Sequence, residues 1–415
     1  MTRTLPAVVA ALAVTLAACA APATSDPAGP IELSFLSYNY GTPDLGGQGM
    51  AQLVEAFEAE HPDIDVVPRG VATADVLTTL RAETAAGSPP AVAQIGWSKM
   101  AEAYAALPVT AVQDIAPPAE WAEHTAGMAQ NVLSAVSDGG VTRAMPFGMS
   151  VPALFYNADL FRAAGLDPER PPTTIAEMQE AALAVRATGD EGAYLAIVDP
   201  GKSDYLTQSV VNSAGGSLLD GVDSPAAVAG LSAVAGLTAS GAQPAIAPAD
   251  AVALFGSGRL GMLVVSTAVL SGLQRSAEGV FELRTAGFPR VGDGPARPTY
   301  SGAGLAVLTD DPAEQRAAWE FIRFLTSEQA FTTLAETIGY LPLRAAVADA
   351  ADPLLRPSLD QLDDVVPYTA FPGDNANQAV VVLQDEAVEP IVLRGADPAA
   401  TLRAAAEKIR GLTGS

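Results

Sequence analysis

The chain carries few residues of the kinds that make and break bonds. It has two histidines, His61 and His124, and one cysteine, Cys19. A histidine-assisted nucleophile or a zinc site needs companions at set spacing, and the sequence contains neither H-E-x-x-H nor G-x-S-x-G. His61 stands in Glu60-His61-Pro62-Asp63, which reads as a helix-to-strand turn, so a structural role is expected. A lone cysteine makes neither an internal disulfide nor a cysteine metal site. Paired carboxylates can hydrolyse a glycoside, but 47 acidic residues always contain some pair, so this pattern singles out none. Gly256-Ser257-Gly258-Arg259-Leu260-Gly261 fits G-x-G-x-x-G literally. A dinucleotide loop must follow a strand and open a helix. Here a helical pattern precedes the glycines and the strand-like Met262-Leu263-Val264-Val265 follows, which argues against a nucleotide. The expectation is a non-enzyme with no cofactor and no metal.

Binding chemistry is better represented. A sugar exposes hydroxyls at its rim and C–H groups on its faces, so its site needs aromatic platforms and planar hydrogen-bonding side chains. Tyr38, Asn39 and Tyr40 follow the first predicted strand, and Trp97 follows the apolar run 91–95. Open α/β sheets place ligands at such strand ends.

The elements that position these residues are legible as patterns. In 299–343 a short run, 303–308, is bounded by Gly302 and Asp310-Asp311-Pro312, as a buried strand would be. A helix follows with Asp311 as N-cap, Pro312 first and Glu314 as the third-position carboxylate. Ala318, Phe321, Ile322 and Leu325 give it one face to bury. Thr326 with Gln329 caps a second helix, which Gly339 ends before Tyr340-Leu341-Pro342. Earlier, Ile31, Leu33 and Phe35 alternate with polar residues, Met50, Leu53, Val54 and Phe57 mark a helix face, and 64–67 is a second strand. A helix over 76–85 and another opening near Ser98 continue a strand–helix alternation, which predicts a parallel sheet with helices on both faces. Later elements are a strand at 195–198, helices over 205–213, 226–238 and 249–255, and a last helix on Leu402, Ala405, Ala406 and Ile409. The stretch 348–367 reads as helix and loop.

Composition bounds these elements. At 415 residues two domains are the default, and 49% hydrophobic against 17% charged residues supplies two cores. The formal net charge of −25 repels nucleic acid and anionic lipid at long range.

Gly302, Gly304 and Leu305, then Ala318-Trp319-Glu320-Phe321-Ile322 with Phe324-Leu325-Thr326, then Ile338 to Pro342, resemble the extracellular solute-binding proteins of bacterial ABC importers, in the branch for carbohydrates and glycerol phosphates. The pattern from Pro146-Phe147 through Leu154-Phe155-Tyr156-Asn157 to Asp167-Pro168-Glu169 and Pro171-Pro172 resembles that family's crossover between lobes. Arg3, the apolar 5–16 and Leu16-Ala17-Ala18-Cys19 look like a bacterial lipobox, with 20–30 a flexible tether. The resemblance implies an α/β, periplasmic-binding-protein-like fold, two lobes joined by hinge crossovers around a ligand cleft. Its parts would be a signal peptide (1–18), a lipid-anchored tether (19–30), a first lobe (31–145 and 302–343) and a second lobe (146–301 and 344–415).

By the same resemblance the ligand contacts are Tyr38, Asn39, Tyr40, Trp97, Ser150, Tyr205, Ser266, Thr267, Ser301, Gly302 and Tyr340, with Tyr368, Asp374 and Asn375 from a late loop. Glycerol-phosphate-type members carry a serine-glycine-serine-like turn and a late-loop arginine, donors for a phosphate. Here the turn is Ser266-Thr267-Ala268-Val269, and 368–380 holds no Arg or Lys. The expected ligand is therefore a neutral mono- or oligosaccharide, with glycerol 3-phosphate or a glycerophosphodiester as the alternative and a secreted glycoside-acting enzyme as a remote one. The partners implied are the small-molecule ligand and the permease's transmembrane subunits. Membrane contact is through lipid on Cys19 only, at the cell surface or in the periplasm. No nucleic acid is implied, and the protein is expected to be a monomer.

Overall fold

A computed structural model describes residues 29–42, 47–128, 130–199, 203–344, 347, 352–373 and 375–414. The signal segment, Cys19, most of the tether and Asp374 lie outside them. The strands are β1 (Ile31–Ser37), β2 (Ile64–Gly70), β3 (Val92–Gly96), β4 (Ser137–Asp138), β5 (Val141–Thr142), β6 (Ala144–Ser150), β7 (Pro152–Asn157), β8 (Glu191–Leu195), β9 (Leu260–Ser266), β10 (Leu283–Ala286), β11 (Thr299–Val307) and β12 (Val366–Pro367).

Two sheets define the two lobes. The first runs β12-β11-β3-β1-β2, with β6 on the other side of β11; the second runs β10-β7-β9-β8. β1, β2 and β3 are parallel, as the alternation predicts, but β11 lies antiparallel to both β3 and β6. The first sheet is therefore mixed. β6 and β11 are the strands that cross between lobes; β6 runs in the same direction as β1, β2 and β3, and the returning β11 runs against them.

The crossings are tight. β6 ends at Ser150 in the first sheet, and β7 begins at Pro152 in the second. The pairing thus changes at Val151, whereas the expected lobe division was 145/146; pairing with β11 keeps the intervening residues in the first sheet. β11 makes the return. Thr299 and Tyr300 pair with β12, and Thr299 is tied to the second-lobe helix Tyr205–Ser213 by Asn212 Nδ2 (2.9 Å) and Ser209 Oγ (2.8 Å). From Ser301 onward the strand pairs with β6, and from Ala303 with β3 as well.

The helix Pro312–Leu325 buries the expected face: Ala318, Phe321, Ile322 and Leu325 are fully covered. Asp311 Oδ1 accepts from the N–H groups of Ala313 (2.8 Å) and Glu314 (3.0 Å). The expected reciprocal bond is absent, because Thr309 Oγ1 both accepts from Asp311 N and donates to Glu314. The next helix, Glu328–Thr337, is capped by Ser327 rather than Thr326, whose hydroxyl is turned inward to the Ile322 carbonyl. Gly339 follows with φ +100°, a conformation that favours glycine. Around Phe321, Phe35 and Phe57 pack edge-on at 5.1 and 4.9 Å. That cluster continues into the second lobe through Phe155, Leu263 and Leu270, while Tyr156, Phe161, Met178, Leu231 and Ile409 belong to a separate second-lobe core. No described helix is long and apolar enough to cross a membrane.

Candidate functional site

The C-terminal ends of β1 and β3 carry a buried polar knot. Ser37 Oγ donates to Gln94 Oε1 (2.6 Å) and accepts from the N–H groups of Asn39 (3.1 Å) and Tyr40 (3.3 Å), which folds the chain back on itself after β1. Asn39 Oδ1 accepts from Gln94 Nε2 (2.5 Å) and from the Tyr340 hydroxyl (3.2 Å). Burial, then the neighbouring Tyr340, pushes the Tyr38 phenol well above its ordinary pKa. Tyr38, Asn39 and Tyr340 are thus brought together, but their polar atoms are engaged with one another. Ser37 and Gln94 are members that the sequence reading missed; Gln94 looks like part of an apolar strand until its amide is seen to bond both Ser37 and Asn39 at the end of β1.

The Tyr340 ring lies against Gly148, where a Cβ would stand 2.6 Å from it, and edge-on to Phe147 at 6.4 Å. Leu341 N donates to Met149 O (2.8 Å), so this segment is strapped to β6. On its other side Gly339 abuts the Thr267 carbonyl of the second lobe.

The crossing strands form the floor. Ser150 and Ser301 are directly paired, and Gly302 packs so tightly that a Cβ would stand 2.1 Å from the Gly148 carbonyl and 2.8 Å from the Trp97 ring. Thr267 clips the crossing: its N–H donates to Val151 O (2.9 Å) and its hydroxyl accepts from Val151 N (3.4 Å). That makes Thr267 a structural residue of the hinge. Ser266 beside it caps the turn by accepting from Ala268 N (3.2 Å).

Between the lobes, next to this floor, is a cavity of about 390 Å³. The first lobe contributes Trp97, Met100 and Tyr104; the chain leading into and out of the second lobe contributes Tyr300, Tyr368 and Ala370. Tyr368 donates to Asp204 Oδ1 (2.8 Å), whose other oxygen accepts from Gln208 Nε2 (3.0 Å). Burial raises the pKa of Asp204, opposed by those two hydrogen bonds and by Lys99. Lys99, on the first-lobe helix Trp97–Ala106, reaches across to Asn377 Oδ1 on the second-lobe helix Ala376–Leu383 (2.9 Å). Burial lowers its pKa, and Asp204, Glu102 and Asp199 counter that. Tyr205 is buried near Ser266, with its hydroxyl outside hydrogen-bond geometry to any described residue.

Tyr40 lies apart from that cavity. It lines a second one of about 500 Å³ with Gln48, Thr337 and the second-lobe Arg275. Asn375 does not join the cleft; its amide donates to Leu412 O (3.1 Å) and holds the start of one helix to the C-terminal one. Lys99, Asp204, Tyr300 and Asn377 were not picked out from the sequence. Asp204 directly precedes the candidate Tyr205, and Tyr300 directly precedes Ser301, so proximity to candidates was the available signal. Among the described residues no group of three or more His, Cys, Asp or Glu side chains is arranged to hold a metal ion.

Two α/β lobes joined by crossing strands are the architecture of a solute-binding protein. The chain belongs to the bacterial extracellular solute-binding protein family, which its residues 52–356 match. It is 24% identical over 406 residues to a putative binding protein of Brucella abortus, covering 93% of this chain and 94% of that one. A 153-residue stretch is 31% identical to the sn-glycerol-3-phosphate-binding periplasmic protein UgpB of Escherichia coli, 36% of this chain and 34% of the relative. Among solved structures, the acarbose-binding GacH receptor of Streptomyces glaucescens superposes with a TM-score of 0.80 at 19% identity, covering 93% and 99% of the two chains. UgpB of Mycobacterium tuberculosis in complex with glycerophosphocholine gives 0.77 at 22%, covering 93% and 98%.

Proposed function

We propose that the protein is the lipid-anchored substrate receptor of an ABC importer, that it captures a neutral mono- or oligosaccharide between its lobes, and that it hands the closed form to the permease. The observation that carries the reading is the cavity of about 390 Å³ beside the crossing strands, with rings from the first-lobe helix (Trp97, Tyr104) and from the crossing chain (Tyr300, Tyr368), and with Asp138 but no cation among its lining residues. Aromatic faces suit the C–H faces of a sugar, and closure follows when a ligand touches both walls. Structural neighbours include a maltose-bound protein of Thermotoga maritima and a cyclic maltosyl-maltose-binding protein of Arthrobacter globiformis, which supports the saccharide class. The Cys19 anchor rests on the lipobox-like segment, and the extracellular location on the family.

A glycerophosphodiester is the second reading, favoured by the local UgpB similarity and by Arg275 at the other interlobe cavity. Calorimetry across monosaccharides, malto- and manno-oligosaccharides, glycerol 3-phosphate and glycerophosphocholine separates the two. A saccharide with micromolar or tighter affinity is the expected result. Binding of glycerophosphocholine alone would replace the saccharide reading, and no binding by any of them would remove both.

A further inference from the structure

The second-lobe helix Tyr205–Ser213 is buried along its whole length although it carries Gln208, Ser209 and Asn212. Those polar side chains grip the chain that crosses between the lobes. Ser209 and Asn212 hold Thr299, and Gln208 holds Thr369, just beyond β12, by both backbone groups: its Nε2 donates to Thr369 O (2.8 Å) and its Oε1 accepts from Thr369 N (3.2 Å). Asp204 directly precedes the helix and is fully covered, with its two oxygens accepting from Tyr368 and Gln208. A carboxylate placed in this way carries a desolvation cost that two neutral donors offset only in part. The opposing charge comes from the other lobe. Lys99 is half-buried, bonds Asn377 across the gap (2.9 Å), and lies within Coulombic reach of Asp204 and Asp199 in the second lobe and of Glu102 on its own helix. Among the described residues, the cation acting on Asp204 is Lys99.

We infer that Lys99 and Asp204 form a charge latch between the lobes, one that biases the ligand-free protein toward the close-lobed form. Bringing the lobes together sets each covered charge against its opposite; separating them takes Lys99 away from Asn377 and leaves Asp204 without its cation. The latch acts on the hinge directly. Asp204 is tied through Tyr368 and Gln208 to the chain leaving β12, and β12 pairs with β11 where that strand begins its return. The inference goes beyond the saccharide reading and does not depend on it, since the latch works before any solute is present. Its consequence for capture is a larger population of the binding-competent form, and so a tighter apparent affinity for any ligand that requires that form.

The test is a double-mutant cycle on the ligand-free protein, read as the radius of gyration in solution scattering. Lys99→Met and Asp204→Asn keep the two shapes without the charges. Each is expected to enlarge the radius, because each leaves one covered charge unpaired. The double variant is expected to return toward the wild-type value, since no unpaired charge remains. A salt series needs no change at Asp204 and decides the matter even if Asp204→Asn does not fold. Raising salt from about 0.1 to about 1 M, which shortens the Debye length from about 10 to about 3 Å, is expected to enlarge the wild type and leave Lys99→Met unmoved. A wild-type radius in Lys99→Met, a double variant enlarged by the sum of the two singles, or the same salt response in both proteins would each overturn the latch. A lowered melting temperature in Asp204→Asn with an unchanged radius would overturn it too, leaving Asp204 as a tie within the second lobe. All of these outcomes are separate from calorimetry with saccharides, on which the transport reading stands.

Discussion

Gly302 and Gly148 meet across the crossing strands with no room for a methyl group. A Cβ on Gly302 would stand 2.1 Å from the Gly148 carbonyl, which is backbone and has little freedom to yield, and 2.8 Å from the Trp97 ring. Gly302→Ala is therefore expected to destabilise the protein by about 1 to 3 kcal/mol, the usual range for overpacking, and to displace Trp97. Thermal denaturation and tryptophan fluorescence read the two effects. At this scale residue types were legible in the sequence, but their engagements were not. Trp97 and Tyr38 were found because rings follow strand ends, yet nothing in their neighbours tells that Tyr38 is drawn into a buried cluster while the Trp97 N–H has no partner among the described residues. Tyr300 was missed because it lies before the run 303–308 read as the strand, whereas the strand starts at Thr299. Whether a hydroxyl has a partner depends on residues far away in the chain.

Helices were the most legible elements, since their periodicity and caps are local. Phe321, placed on the buried face of Pro312–Leu325 by spacing alone, is fully covered between Phe35 and Phe57. Phe321→Ala is expected to cost about 3 to 5 kcal/mol, measurable by denaturant titration, with ligand affinity of the remaining folded protein little changed. The cap of the following helix moved by one residue for a tertiary reason: Thr326 Oγ1 also bonds His124 Nε2 (2.7 Å) on the neighbouring helix Pro118–Thr125. That helix pair is an acid-sensitive joint. Burial, then the neighbouring Arg344 and Arg323 cations, holds the His124 pKa down to about 4. Because the folded value lies below the ordinary 6.5, the unfolded chain takes up the proton first as pH falls. The contribution of His124 to stability is expected to be complete above pH 6.5, to decline between 6.5 and 4 by at most about 3 kcal/mol, and to level off below. A His124→Gln variant should show a flatter melting temperature across that window. Strand partners were the least legible elements: the antiparallel entry of β11 into a sheet read as parallel depends on pairings between residues about 150 or more positions apart.

At the scale of the molecule, the two-lobed α/β fold followed from family-like motifs, whereas the state of the cleft did not. One hydrogen bond between the lobes joins Lys99 of one to Asn377 of the other. Lys99→Ala is expected to shift the ligand-free protein toward wider separations, seen as a larger radius of gyration in solution scattering, and to weaken ligand binding by lowering the closed population. An unchanged scattering profile would show that the bond follows closure without favouring it. The lone residue between the two sheets has a further mechanical meaning. Val151 is held on both sides by hydrogen-bonded strands and clamped by Thr267, and the adjacent return strand is paired at Ser150–Ser301. So short a linkage resists sliding and leaves mainly one torsional degree of freedom. The jaw therefore swings about a nearly fixed axis, and little orientational entropy is lost each time it shuts.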